Sequence, residues 1–179
     1  MTNKPERSVQ WSVIAHEDWR LHFAATEKGL CYVGSPNRPL SELADWASAR
    51  LPGWSLVRDD ERLRTYWAEL SRYLQGELRG FTIPFDLYGT PFQQEVWQAL
   101  CGIPYGKTAS YSEIAAHIGK PSAVRAVGAA IGANPVLIAI PCHRVIGKNG
   151  ALTGYRGGMD MKKNLLHLEC ICHETGLFV

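Results

Sequence analysis

The chain is 179 residues long, 46% hydrophobic and 20% charged, with a formal net charge of +2. That composition describes a globular protein of one domain or two small ones and excludes a disordered polyelectrolyte. No apolar run reaches the roughly 20 residues of a membrane helix, and the first seven residues carry no apolar signal segment, so a cytoplasmic protein without a membrane partner is expected.

Residues 8–34 alternate polar and apolar side chains in three short runs, at Val9–Ile14, Trp19–Ala24 and Leu30–Val33. Gly29 and polar pairs separate them, and period two predicts an antiparallel three-stranded sheet. Pro36–Pro39 breaks the chain. Ser41–Arg50 begins with a capping serine, spaces Leu43, Trp46 and Ala47 as a helix does, and stops at Pro52-Gly53. A second helix is predicted over Asp60–Leu78, with Leu63, Trp67, Leu70 and Leu74 on one stripe. Phe81–Tyr88 reads as an extended strand.

Gly89-Thr90-Pro91 combines a turn glycine, an N-cap and a proline at the first helical position. It divides an N-terminal α/β domain, 1–88, from a C-terminal domain, 89–179. Phe92–Leu100 is helical, with Phe92, Val96, Ala99 and Leu100 inward and Glu95 supporting the first turn. Next comes a helix-turn-helix pattern. Ser110 caps a helix with Ile114, Ala115 and Ile118 on one face, Gly119-Lys-Pro-Ser is the turn, and Ser122 caps a second helix, Ala123–Ala133.

That second helix is built of Ala, Gly, Val and Ile, with Arg125 its only charge. Major-groove readers need Arg, Asn, Gln or Lys to address base edges. A smooth helix suits close approach to a narrow groove without sequence readout, one long side chain acting as a wedge. Its candidate DNA face is Ser122, Ala123, Arg125, Ala126, Gly128 and Ala129. The alternative is a pair of core helices packed closely through small residues.

Charge is unevenly spread. Residues 1–88 carry 11 Lys and Arg against 12 Asp and Glu, a net −1, whereas residues 107–163 carry 8 against 2, a net +6. A basic cluster suits a polyanion such as nucleic acid, or is a solvated face. The five cysteines, at 31, 101, 142, 170 and 172, are odd in number and irregularly spaced, as expected of free thiols in a reducing compartment. His22, Cys31, Cys170, Cys172 and His173 are conceivable zinc ligands, but Cys170-Ile-Cys172 is too tight for a zinc knuckle and no second pair answers it. No metal is expected.

The apolar run Pro135–Ile140, read as a buried strand or a helix-to-strand connection, leads into Pro141-Cys142-His143-Arg144-Val145. The thiolate is the reactive form of cysteine, and neighbouring bases or cations lower its pKa from about 8.5. Cys142 has both neighbours. By itself, a cysteine after four apolar residues is more often a small core residue.

The remaining motifs bear on that choice. Phe92-Gln-x-x-Val-Trp, Tyr111, Arg-Ala-Val-Gly-x-Ala at 125–130, Asn134-Pro135, Pro-Cys-His-Arg-Val at 141–145, Gly-Tyr-x-Gly-Gly at 154–158, Lys-x-Leu-Leu at 163–166 and Glu169 follow in order. Over roughly residues 80–170 the chain closely resembles the O6-alkylguanine-DNA alkyltransferases (methylated-DNA–protein-cysteine methyltransferases). The first half carries no motif of its own.

The resemblance implies an α+β fold: a small N-terminal antiparallel sheet with helices, ribonuclease H-like, and a mostly helical C-terminal part with a winged-helix-like helix-turn-helix. It implies direct-reversal DNA repair without a cofactor. An alkyl group on guanine O6, or less well on thymine O4, passes irreversibly to Cys142, once per molecule. The expected relay is Glu169–His143–water–Cys142, with Asn134 tying the second helix to the cysteine segment. The base must leave the duplex to react, and Arg125 is the expected finger in its place. Tyr111 would crowd the phosphate and donate to the departing base. Val145 and the loop 154–158 would line the guanine pocket, with Tyr155 and Pro135 as walls. Where the family often has a small residue, Arg156 puts a long cation, expected at the pocket rim. The implied partner is duplex DNA containing alkylated bases, bound through the minor groove by a monomer that can load cooperatively. Relatives that only bind damage lack the cysteine, and a cysteine hydrolase would leave the helix-turn-helix unused.

Overall fold

A computed structural model describes residues 7–174, with side chains through residue 170. The alternating runs form three antiparallel strands, β1 (Ser8–His16), β2 (Trp19–Ala25) and β3 (Leu30–Val33). A fourth strand, β4 (Ser55–Arg58), pairs parallel to β1, so the sheet is mixed, in the order β3-β2-β1-β4. Parallel pairing needs a crossover, and helix α1 (Leu40–Arg50) lies on it, burying Leu43 and Ala47. Alternation could not reveal β4, because this edge strand is only four residues long and none of them is buried.

Helix α2 spans Arg64–Leu74 and is shorter than the pattern suggested. Asp59 Oδ1 accepts from the Arg62 amide at 2.9 Å, holding the preceding residues in a turn, and Gly76 takes φ +76° at the far end. Leu63, Leu70, Tyr73 and Leu74 are buried, but Trp67 stays 43% exposed, outside the stripe proposed for it. The expected strand at 81–88 is absent. Pro84 has no N–H to give a ladder, and the segment makes one isolated bridge, Leu30 to Phe85. It lies close against the turn at Gly29, where a Cβ would come within 2.5 Å of the Pro84 carbonyl oxygen.

Thr90 and Gln93 close a capping box at the start of helix α3 (Pro91–Cys101). Val96, Trp97, Ala99 and Leu100 are buried, and the Trp97 indole donates to the Ala130 carbonyl at 2.8 Å. Phe92 is half-buried, and Glu95 pairs with Lys120 instead of serving its own first turn. Ser110 and Glu113 form a second capping box on α4 (Tyr111–His117). Helix α5 (Val124–Gly132) starts later than expected: Ala123 is its N-cap residue and no side chain caps it, so Ser122 does not. Strands β5 (Ala109–Ser110) and β6 (Val145–Ile146) pair in parallel beside these helices, and α6 (Met159–Glu174) completes the described chain.

One hydrophobic core runs through both halves. Ile14, Phe23, Leu70 and Tyr73 from the first pack with Val96, Trp97, Ile140 and Leu165 from the second. A smaller cluster of Val9, Cys31, Tyr32 and Leu43 sits under α1. Among the described residues no helix is long and apolar enough to cross a membrane.

Candidate active site

The run 135–140 is not a strand; it is a buried irregular loop that connects helix α5, through a 3-10 turn, to β6. The Val33 amide donates to the Pro135 carbonyl at 2.9 Å and Val33 bridges Val136, so the edge of β3 anchors the start of the loop. Ile138 then takes φ +71°, a region where a β-branched side chain is an outlier. Pro141 leads into a single 3-10 turn, Cys142–Arg144. Within that turn the thiol and the imidazole serve different partners, Cys142 toward Asn134 and His143 toward α6.

Asn134, at the end of α5, is 1% exposed. Its Nδ2 donates to the Ile140 carbonyl at 3.0 Å and to Cys142 Sγ at 3.1 Å, while Oδ1 accepts from the Val136 amide at 2.9 Å. One side chain thus pins both ends of the loop and places a donor on the sulfur. Cys142 is 4% exposed. Burial pushes its pKa up, opposed by the Asn134 hydrogen bond and the charges of Arg156 and Lys162.

Glu169, from α6, collects a dense set of donors. His143 Nε2 lies 2.8 Å from Oε1, Arg144 donates through Nε and Nη2 at 2.9–3.1 Å, and the Gly106 amide reaches Oε2 at 3.1 Å. Tyr73 of α2 also donates to Oε1, and its hydroxyl oxygen is 3.2 Å from His143 Nε2. Burial alone would raise the Glu169 pKa; the hydrogen bonds from His143 and Arg144 overcome it and hold the carboxyl down to about 2. Facing an ionised oxygen, Nε2 must carry the ring proton. That leaves Nδ1 as the basic nitrogen, buried and without a hydrogen-bond partner among the described residues. Burial lowers the His143 pKa, and Glu169 works against it.

Three of these groups were not singled out as site residues. Tyr73 lies on the buried face of α2 three residues after Leu70, and a buried tyrosine hydroxyl requires a partner, the one signal available. Arg144 was read as a charge beside the thiol, whereas it is 7% exposed and committed to Glu169 and the Ile103 carbonyl. Lys162 is 1% exposed; its ammonium donates to the Val145 carbonyl at 2.6 Å and the Thr153 carbonyl at 3.1 Å, joining β6 to the loop that follows. Its position three residues before buried Leu165 marks it as a lysine on an apolar face.

Arg156 departs from its expected place. Its guanidinium turns inward and donates to the carbonyls of Asn134 (3.1 Å), Val33 (2.7 Å) and Pro135 (3.1 Å) and to Glu42 of α1 (3.1 Å). Four inward-facing acceptors outcompete solvent for a planar fork of donors. It stacks over Tyr32 and ties the first half to the loop carrying Asn134.

Of the residues expected to line a base pocket, Val145 and Pro135 are buried and Tyr155 is half-buried. Gly157 has no room for a side chain, since a Cβ would sit 2.5 Å from Met161 Sδ and 2.7 Å from the Tyr155 ring. The Tyr111 hydroxyl is 2.7 Å from Thr153 Oγ1, and its ring is 3.7 Å from where a Cβ on Gly128 would lie. On α5 and just before it, Ser122, Arg125, Ala126 and Ala129 are exposed, while Ala123 and Gly128 are half-buried. These spacings put them on one outward helical face.

The basic cluster divides. Arg144, Arg156 and Lys162 are spent inside, leaving Lys107, Lys120, Arg125, Lys148 and Lys163 exposed. Among the described residues no three His, Cys, Asp or Glu side chains gather as a metal site. The side chains of Cys172 and His173 lie outside the described residues.

Comparison with known proteins gives a consistent result. Residues 91–171 match the family model for the 6-O-methylguanine DNA methyltransferase DNA binding domain, and residues 9–87 match that for its ribonuclease-like domain. The inducible methylated-DNA–protein-cysteine methyltransferase of Bacillus subtilis (strain 168) is 59% identical over 168 residues, 94% of this chain and 93% of the relative. That of Methanosarcina acetivorans is 45% identical, covering 83% of this chain and 90% of the relative. The crystal structure of Mycobacterium tuberculosis OGT in complex with DNA superimposes with a TM-score of 0.79 at 40% identity, covering 91% of this chain and 94% of the other. Both halves of the chain match over nearly their whole length, and the chain belongs to the 6-O-methylguanine DNA methyltransferase family.

Proposed function

We propose that this protein repairs DNA by direct reversal, taking the alkyl group of O6-methylguanine onto its own Cys142. The observation that carries this reading is the Cys142 thiol held by Asn134 beside the Glu169–His143 pair, in a chain 59% identical to a methylated-DNA–protein-cysteine methyltransferase.

The thiol proton passes through a water to His143 Nδ1, and Glu169 supports the imidazolium so formed. The sulfur pair forms the S–CH3 bond as the C–O6 bond breaks, its electrons remaining on guanine. The guanine anion takes up one proton, so methyl and hydrogen have exchanged places. A thioether does not revert, so each molecule reacts once. Thymine O4 is the poorer donor.

DNA is the partner, engaged by the small-residue face of α5, Ser122 through Ala129, in the minor groove. Arg125 enters the stack in place of the flipped nucleotide, and flipping costs least for a poorly paired base. Tyr111 exchanges its Thr153 contact for the target's phosphate and base. Val145, Tyr155, Pro135 and the loop 154–158 form the base pocket. The protein acts as a cytoplasmic monomer that can load cooperatively along DNA.

Intact-protein mass spectrometry after incubation with duplex DNA containing O6-methylguanine tests the reading. A single methyl increment, absent in Cys142→Ala, is expected. Binding without a mass change, or turnover beyond one equivalent, overturns it.

A further inference from the structure

From the N-terminal half, the hydroxyl of Tyr73 meets both members of the Glu169–His143 pair. Its ring is fully buried, with Phe81 5.3 Å away, Tyr105 6.0 Å away and the His143 imidazole 6.5 Å away between centroids. The ring cannot turn aside, so the hydroxyl stays between Glu169 Oε1 and His143 Nε2.

We infer that Tyr73 is a positioning residue that limits how strongly Glu169 holds the imidazolium of His143. The inference rests on His143 being the base that activates Cys142. A hydroxyl has one hydrogen, which goes either to Glu169 or to Nε2. When it goes to Glu169, its oxygen lone pair faces Nε2–H and both contacts are satisfied. In the other tautomer the Nε2 lone pair would face the carboxylate at 2.8 Å, and turning the hydroxyl to it would take a donor from Oε1. The geometry therefore favours a bare Nδ1 on the side where a base is needed.

The same hydrogen also sets basicity. Donation to an ionised carboxylate is charge-assisted and stronger than the longer neutral contact to Nε2. It takes up charge on Oε1 that would otherwise stabilise imidazolium. Other groups facing His143 are Arg144 and Cys142 on its own turn and Lys162 on α6; Tyr105 packs behind Tyr73. Arg144 and Lys162 disfavour the cation as well, so Tyr73 works with them in keeping the base unprotonated near neutrality.

The test needs no DNA, so its outcome is separate from that of the methyl-transfer assay. His143 tautomer and protonation are read by 15N NMR of the full-length protein, and Cys142 reactivity by its rate with iodoacetamide as a function of pH. Two variants are compared: Tyr73→Phe, and the protein with 3-fluorotyrosine at position 73, whose hydroxyl is a stronger donor in nearly the same shape. Tyr73→Phe is expected to raise the His143 inflection by about one pH unit, a tenfold change in its protonation equilibrium, with the ring proton still on Nε2, which continues to face the Glu169 carboxylate. The fluorinated protein should shift the inflection in the opposite direction and keep the Nε2–H tautomer. If Tyr73→Phe does not fold, the downward shift in the fluorinated protein carries the test alone. An unchanged inflection in the folded variants, or shifts of the same sign in both, overturn the inference and leave Tyr73 a packing residue.

Discussion

Asn134 Nδ2 stands 3.1 Å from Cys142 Sγ, and the same nitrogen holds the Ile140 carbonyl at 3.0 Å. The residue that stabilises a thiolate is therefore also the one that shapes the loop presenting it.

Removing that amide should have two separable effects. Asn134→Ala leaves the Val136 amide buried without a partner, at a cost of about 1–3 kcal/mol, and takes from the Ile140 carbonyl one of its two donors, the Cys142 amide remaining at 2.8 Å. It also deprives the sulfur of its donor, so the thiol pKa rises further. Urea denaturation reads the first effect. The pH dependence of iodoacetamide labelling reads the second, and its inflection should move to higher pH. A variant that unfolds earlier but labels with an unchanged inflection would separate Asn134 from thiolate stabilisation.

Acid should weaken the fold in two windows. His143 has a folded pKa below its unfolded value, so the unfolded chain takes up that proton first and stability falls as pH drops below about 6.5. Glu169 has a folded pKa of about 2, so its contribution is complete above the unfolded carboxylate pKa and is lost as pH falls from there toward 2. A depression of that size corresponds to roughly 3 kcal/mol when fully lost. Denaturant midpoints from pH 7.5 to 2.5 should decline steadily, and Glu169→Gln should lower stability at pH 7.5 while flattening the decline below about pH 4.5. An equally steep decline in that variant would place the acid sensitivity elsewhere.

Arg156 joins the halves more than it meets DNA. Arg156→Ala strips the guanidinium from three carbonyls and Glu42, of which Val33, Pro135 and Glu42 each keep another donor, and should destabilise by about 1–3 kcal/mol. Glu42→Gln keeps an acceptor and should cost less. Arg156→Lys should recover only part, since an ammonium cannot span the fork. Amide exchange at residues 134–140 should quicken in Arg156→Ala. A loss of DNA affinity with unchanged exchange would return the side chain to the pocket rim.

Arg125 is exposed on the outward face of α5, so its removal should leave the fold intact. Arg125→Ala should slow methyl transfer from duplex DNA more than tenfold, an unstacking effect of a few kcal/mol, and reaction with a free alkylated base by less than twofold. Equal losses on both substrates would argue against a role in flipping.

Patterning made much of the fold legible. Period-two alternation located β1 to β3, and the Thr90 and Ser110 caps located the starts of α3 and α4. It failed where pairing is not local. β4 is short and is held by β1 more than forty residues earlier, and 81–88 alternates adequately yet contains Pro84. For the site, Cys142 and His143 stood out as residues and the family resemblance added Asn134 and Glu169; the structure gathers all four. Tyr73 escaped because it is a helix residue of the other half, and its role follows only from what its hydroxyl meets.

By itself the sequence determined the chemistry on offer: a thiol beside an imidazole, a carboxylate further along, and a smooth helix with a single long cation. These are properties of residue type and spacing along one stretch of chain. Only the tertiary structure decided how those groups are charged and aimed. The proton on Nε2, the bare Nδ1, the inward turn of Arg156 and the three cations withdrawn from the surface all follow from burial. Inside the protein, every polar group must find a partner across elements that are distant in sequence.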